Sequence, residues 1–432
     1  MTPPAGAIDR RTMLAGTAVL AGAALIGTAP ALIGTAPARA ATPSALLPDA
    51  DVHVLVVDGM RPDELAPGLT PHLLALADAG TRYTAARAIS VAETLPNHAA
   101  MMTGVLPHRS GVPANSIFDP VLGRTRDLDR PTDLRAGTVL DRLPRELGLT
   151  TASVLSKRYL HGLFGGRASV AWDPVPLLPL TEHAPDRFTV DALISVVDER
   201  SPRFTFTNLG DVDRVGHLDV LGASLRLART AALRSADEQV ARFVEFLRAT
   251  GRWERSVLIV LADHGMDWSA PDQLIGLVDV LGADPLLAGS VRTAQNGGAN
   301  LLYWVGDPAA RVDAVARMRE VAAAVPGVAA LYAGADLGLG AAAGDLVALC
   351  DAGWRFSDPS PLSNPIPGNH GHAATVEIPF FVAGGHASIR RGLTVTDPVR
   401  TLDVAPTVAA LFGLAGPAGG WDGRAATHAF AG

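Results

Sequence analysis

Residues 51–59 read DVHVLVVDG, a valine-rich apolar run over 51–57 that ends in Asp58-Gly59. A strand with one wet face alternates apolar and polar residues; this run does not, so it reads as a strand buried on both faces. Such strands belong to parallel sheets covered by helices on each side. The pattern returns at 255–262 (RSVLIVLA), and 203–209 (RFTFTNL) reads as another strand. Helical stretches lie between them: 70–80, 138–148 ahead of a strand at 150–155, and a long helix at 221–250. This β-α-β alternation predicts an α/β fold with a doubly wound, mostly parallel sheet.

Between about 267 and 362 the texture changes. A strand at 299–305, a helix at 309–324 and strand-like runs at 328–332 and 345–350 predict a small α+β insertion spanning 268–362. The main sheet resumes at 376–383, and 401–412 reads as the closing helix. No domain-scale repeat is present.

The chain has 432 residues, 48% hydrophobic and 18% charged, enough for one large globular domain covering 41–432. Residues 1–40 read differently. Asp9-Arg10-Arg11-Thr12-Met13-Leu14 precedes a Gly/Ala-rich apolar run with a tandem ALIGTAP, and Ala38-Arg39-Ala40 closes it. That is the pattern of a twin-arginine (Tat) signal peptide with an A-x-A-like cleavage site, predicting an exported protein. Its membrane contact would be limited to an uncleaved leader acting as an anchor. Removing Arg10, Arg11, Arg39 and Asp9 moves the formal charge from −7 to −9, which argues against a broad basic face for nucleic acid. Cys350, the lone cysteine, has no intrachain disulfide partner.

At 92–98 the chain reads AETLPNH. A strand-like segment, 88–91, gives way there to a helix whose first turn tolerates Pro96, because an N–H is not needed there. Thr94 thus stands at a helix N-terminus, where free N–H groups and the helix dipole favour negative charge. An ordinary N-cap threonine reads the same way, so partners elsewhere must decide.

Three strands end in metal-ligand residue types: Asp58 after the first, Asp213 and His217 after 203–209, and Asp263 with His264 after 255–262. In open parallel sheets ligands bind beyond the carboxyl ends of the strands, so these residues converge on one rim. Asp213 and His217 stand four apart, on one side of a helical turn. His370, within GNHGH at 368–372, offers a further imidazole. Asp58, Thr94, Asp213, His217, Asp263, His264 and His370 suffice for two metals sharing one phosphate. A histidine and carboxylate set without thiolate points to two zinc ions, with manganese the lesser fit. Two such ions, about 3.5–4 Å apart, clamp the entering and leaving oxygens of an in-line displacement at phosphorus. Thr94 would be the entering oxygen. Three carboxylates against two divalent ions leave roughly one positive charge, matching a phosphodiester monoanion. His53, His72, His98, His108 and His161 read as structural. Asp211 lacks the four-residue spacing to His217, and His372 reaches substrate or only water.

The order VVDGMRPDEL (56–65), ETLPNHAAMMTGVLPHRSGVPANS (93–116), DRVGH (213–217), ADHGM (262–266) and GNHGH resembles the alkaline phosphatase superfamily. Within it the resemblance is to the type I phosphodiesterase and nucleotide pyrophosphatase branch, and it extends through IPFFVAGG, DVAPTVAALFGL and WDGR to the tail. It implies one zinc on Asp213, His217 and His370, and the other on Asp58, Thr94, Asp263 and His264. It also makes Thr94 the nucleophile and places on Asn115 the side-chain amide that steadies a phosphoryl oxygen. Nucleotide-cleaving relatives carry an aromatic right after the nucleophile and another shortly before the first metal-binding aspartate. Here Leu95 and, approximately, Asn208 hold those places, in a chain with 5% aromatic residues.

A second stretch, 134–160 (LRAGTVLDRLPRELGLTTASVLSKRYL), resembles phosphonoacetate hydrolases, which hold a substrate carboxylate with two lysines. Lys157 matches one, as a substrate contact or a plain surface charge, and Tyr159 stands at the other. The expected function is hydrolysis of a small phosphodiester or pyrophosphate substrate. Phosphonate C–P cleavage, phosphomonoester hydrolysis and metal-dependent binding without catalysis are the alternatives. A formylglycine sulfatase is excluded by Thr94-Leu95-Pro96-Asn97 where C/S-x-P-x-R is required.

Overall fold

Residues 51–57 form strand β1 (Asp51–Val57), every residue of it buried, in the middle of an eight-stranded sheet. The computed structural model describes residues 44–176, 182–218, 224–357 and 367–431, so the expected leader at 1–40 lies outside the described residues. The other strands are β2 (Thr81–Tyr83), β3 (Thr151–Leu155), β4 (Val170–Trp172), β5 (Phe204–Leu209), β6 (Ser256–Leu261), β7 (Phe380–Gly384) and β8 (Leu393–Val395). They lie in the order β8-β2-β7-β6-β1-β5-β3-β4, and only β7 runs against its neighbours. The site depends on the middle of that order. β1 lies between β5 and β6, with Val57 opposite Leu209 and Val56 opposite Leu261, so all three strands end at one edge.

Helices cover both faces. They include α1 (Pro71–Ala79), α2 (Thr94–Thr103), α3 (Asp186–Arg200), α4 (Asp211–His217), α5 (Ser224–Ala249) and α6 (Val404–Phe412). Strand alternation assigns the faces. His53, paired with Thr205, meets Phe243 of α5, whereas Phe206, paired with Val54, meets His98 of α2. Helices α1 and α3 pack on α5, and α6 packs on α2.

Between β6 and β7, strands Val291–Asn296, Ala299–Trp304, Leu346–Cys350 and Val328–Tyr332 form an antiparallel sheet in that order. Leu301, Tyr303 and Val347 join the main core, while Leu302, Trp304 and Leu346 join a separate cluster with Met318 of helix Arg311–Ala323. Among the described residues, no helix is long and apolar enough to cross a membrane.

Several elements differ from expectation for local reasons. The segment 88–91 pairs with no strand; the Asn97 side chain takes the Ile89 N–H and donates to the Ile89 and Val91 carbonyls. The expected helix at 138–148 is split into Val139–Arg142 and a π turn, Leu143–Leu147, because Pro144 has no N–H to continue the ladder. Strand β7 starts only after Pro379. Helix α3 and the hairpin of Ser116–Asp119 with Arg124–Asp127 are not expected from the sequence pattern.

Candidate active site

The edge shared by β5, β1 and β6 gathers the strand-end residues. Asp58 follows β1, and its N–H donates to the Leu209 carbonyl at 2.9 Å. Gly59 sits at φ +72°, and a Cβ there would lie 3.1 Å from Asp213 Cβ, so glycine lets the loop after β1 touch the one after β5. Asp263 Oδ1 accepts the Gly59 N–H at 3.1 Å, which joins the loop after β6 to the one after β1.

Asp213, His217 and His370 place ligand atoms within one ion's reach of each other. His217 Nε2 is 3.3 Å from Asp213 Oδ1 and 3.2 Å from His370 Nε2. Asp58, Asp213 and His264 form a second such group, with Asp213 common to both. Asp263 Oδ2 lies 3.4 Å from His264 Nε2. Thr94 Oγ1 is 3.1 Å from the same nitrogen, so all seven expected residues meet at this edge.

The imidazoles are oriented alike. Nδ1 of His217, His264 and His370 each meets a backbone carbonyl, of Gly368, Gly265 and Ala92 respectively, at 2.7, 2.8 and 3.2 Å. A carbonyl only accepts, so Nδ1 carries the hydrogen and the Nε2 lone pair faces inward, as metal-ligand histidines require. Two inward lone pairs 3.2 Å apart need a cation between them. Asp58 Oδ1, Asp213 Oδ1 and Asp263 Oδ2 are buried without hydrogen bonds. This histidine and carboxylate donor set therefore fits divalent ions.

Electrostatics point the same way. Burial, reinforced by the neighbouring Asp263, pushes Asp58 up to about 7, and burial pushes Asp263 to about 7 as well. For Asp213 burial is outweighed by Lys157 and His217, which hold its carboxyl well below the usual range. Lys157 is 2% exposed, its ammonium 2.6 Å from Asp213 Oδ2 and 2.8 Å from Asp58 Oδ2. The surface-charge reading of Lys157 is thus wrong: its ammonium serves the ligand carboxylates.

The residues around the cluster take other partners. Asp211 turns from the ligands to His183, 3.3 Å away, and trades backbone hydrogen bonds with Asp186. His372, expected to reach substrate or only water, is buried against Asp267, with Nε2 2.9 Å from the carboxylate. Asn208, read as a missing aromatic, donates to Asp58 Oδ2 at 2.7 Å and lies 3.0 Å from His98 Nε2. His98 is structural, as expected: its other nitrogen meets the Thr94 carbonyl.

A cavity of about 450 Å³ opens beside the helix start, lined by His217 and His370 together with Leu95, Asn115 and Tyr159. Arg355 and Phe356 also line it, and the Lys157 ammonium lies 5.8 Å from the centroid of the Tyr159 ring. Phe356 and Tyr159 supply the aromatic surface that Leu95 and Asn208 do not. Sequence reasoning missed Arg355 and Phe356, which come to the site through long-range packing and carry no motif, and gave no role to Glu93 although it directly precedes Thr94.

Residues 52–373 match the family described as type I phosphodiesterase / nucleotide pyrophosphatase. The chain is 25% identical over 257 residues to human ectonucleotide pyrophosphatase/phosphodiesterase family member 5, covering 56% of this chain and 50% of that protein. It is 23% identical over 224 residues to human bis(5'-adenosyl)-triphosphatase ENPP4, covering 51% and 48%. The chain spans about half the length of the curated relatives it matches. Among solved structures, an inactive variant of murine ENPP5 in complex with AMP superposes with a TM-score of 0.69 at 19% identity, over 85% of this chain and 96% of that one. Phosphonoacetate hydrolase from Sinorhizobium meliloti 1021, in complex with phosphonoformate, gives 0.65 at 20%, over 86% and 99%. At such identities the two superpositions speak for the fold.

Proposed function

We propose, for a chain that belongs to the type I phosphodiesterase/nucleotide pyrophosphatase family of the alkaline phosphatase superfamily, hydrolysis of a phosphodiester or pyrophosphate bond in a small substrate, with Thr94 as nucleophile and two zinc ions as cofactors. The observation that carries this reading is the convergence of six side chains with Thr94, three of them carboxylates with a buried oxygen lacking a hydrogen bond. Asp213, His217 and His370 would hold one ion, and Asp58, Asp263 and His264 with Thr94 the other. Zinc, when bound, supplies Lewis-acid stabilisation of charge on the oxygens entering and leaving phosphorus.

The chain's own groups do the rest. Thr94 gives up its hydroxyl proton to solvent and its oxygen attacks phosphorus in line; the bond to the leaving oxygen breaks, that oxygen departs with the electron pair and takes up a proton from solvent, and the phosphate, still carrying its other substituent, stays linked to Thr94. Water then attacks the same phosphorus, breaks the bond to Thr94 and restores the hydroxyl. Asn115 Nδ2 donates to a non-bridging oxygen as charge develops there. Buried Lys157 adds a cation, raising the excess over three carboxylates to roughly two positive charges. That favours a doubly charged pyrophosphate link over a monoanionic diester, in keeping with the name of the ENPP4 relative. With its ammonium on Asp58 and Asp213, Lys157 gives C–P cleavage no grip on a substrate carboxylate.

Replacing Thr94 by Ala should lower the turnover of bis(p-nitrophenyl) phosphate and of a dinucleoside polyphosphate by at least about a thousandfold, with zinc content unchanged. A Thr94→Ala protein that keeps near-full rate would falsify the covalent mechanism.

A further inference from the structure

Helix α2 starts at Thr94, so Glu93 occupies its N-cap. A side chain there ordinarily accepts the N–H of the second or third helical residue. Glu93 makes no such bond. Its Oε2 accepts the backbone N–H of Asn115 at 2.7 Å, while Asn115 Oδ1 accepts the N–H of Leu95, the second residue of the helix, at 2.8 Å. Asn115 caps the helix from outside, and Glu93 holds the residue that caps it.

This exchange fixes the amide. With Oδ1 occupied by Leu95, Asn115 cannot flip without breaking the cap, so its two Nδ2 hydrogens face away from the helix. Asn115, Leu95 and Glu93 all line the cavity that also holds His217 and His370. Glu93 itself is 2% exposed, and a buried carboxyl is costly to keep where a serine would cap as well.

We infer that Glu93 is a positioning residue, which holds the Asn115 backbone so that the Asn115 amide points at the phosphoryl oxygen of a substrate poised on Thr94. This rests on the phosphohydrolase reading above. Glu93 then touches no reacting atom; it acts through Asn115.

The test measures kcat and KM for bis(p-nitrophenyl) phosphate on zinc-loaded protein, with thermal unfolding of every variant alongside. Asn115→Ala should lower kcat about a hundredfold. Glu93→Met fills the same space without an acceptor and should lower kcat at least about tenfold with KM within about twofold. Glu93→Gln, whose amide oxygen still accepts the Asn115 N–H, should stay within about threefold of wild type. In the Asn115→Ala background Glu93→Met should cost nothing more. Should the methionine variant fail to fold, Glu93→Asp draws the acceptor back by one methylene and takes its place. Wild-type kcat in Glu93→Met, a loss in Glu93→Gln as large as in Glu93→Met, or full multiplication of the two losses each overturns the role of Glu93. A wild-type protein inactive on every phosphate ester overturns the enzyme reading instead.

Discussion

His53 is the one imidazole inside β1, with Nδ1 2.9 Å from Thr205 Oγ1 and its ring edge-on to Phe243. Burial, then Arg255 and Arg252, lower its pKa to about 3. A base with a depressed folded pKa leaves stability intact above about 6.5, the unfolded value. Below that the unfolded chain takes up a proton that the native state refuses, and stability falls until pH reaches about 3. Between pH 7.5 and 4.5 this amounts to roughly 2–3 kcal/mol. Urea denaturation at the two pH values should show that much smaller a loss for His53→Gln than for wild type. Equal losses would remove His53 from the acid response.

At the scale of elements, α5 holds two ligand loops together from behind. Arg229 donates to the Gly59 carbonyl at 2.9 Å and the Val212 carbonyl at 3.0 Å, each one residue from a ligand aspartate. Glu64 takes the rest of the guanidinium, at 2.6 and 2.8 Å, with all of it buried. Removing one partner of such a pair leaves a buried charge alone, costing about 3–5 kcal/mol, whereas apolar replacement of both costs less. Arg229→Met should therefore be less stable in urea than Glu64→Leu combined with Arg229→Met; the reverse order would mean that the ion pair is not what matters. None of this is legible in the sequence. β1 is, because burial on both faces leaves a continuous apolar run, and Asp213 with His217 is, because one helical turn sets their spacing. The work of Arg229, Lys157 and Asn208 depends on partners 17 to 170 residues away, and no local pattern encodes it. The segment 88–91 misleads for a related reason: its extended backbone is satisfied by one asparagine side chain rather than by a neighbouring strand.

For the whole molecule, the cluster of Asp58, Asp213 and Asp263 makes stability depend on what neutralises it. In protein stripped with a chelator, Asp58 and Asp263, both pushed to about 7 chiefly by burial, keep protons that the unfolded chain releases above about 4. A raised carboxyl pKa stabilises the native state only while the pH is low, so these two carboxyls take stability away from about pH 4 to pH 7, against the opposite contribution of buried histidines such as His53 and His98. The lowered pKa of Asp213 acts below that window and does not offset the loss. Zinc requires the same carboxylates ionised, so its binding strengthens as pH rises, adding about 4 kcal/mol when free metal exceeds its dissociation constant a thousandfold. The two forms should diverge: the margin by which the zinc-loaded Tm exceeds the stripped Tm widens between pH 5 and 8. Parallel curves would mean that the carboxylates are not metal ligands, whatever the rate on phosphate esters.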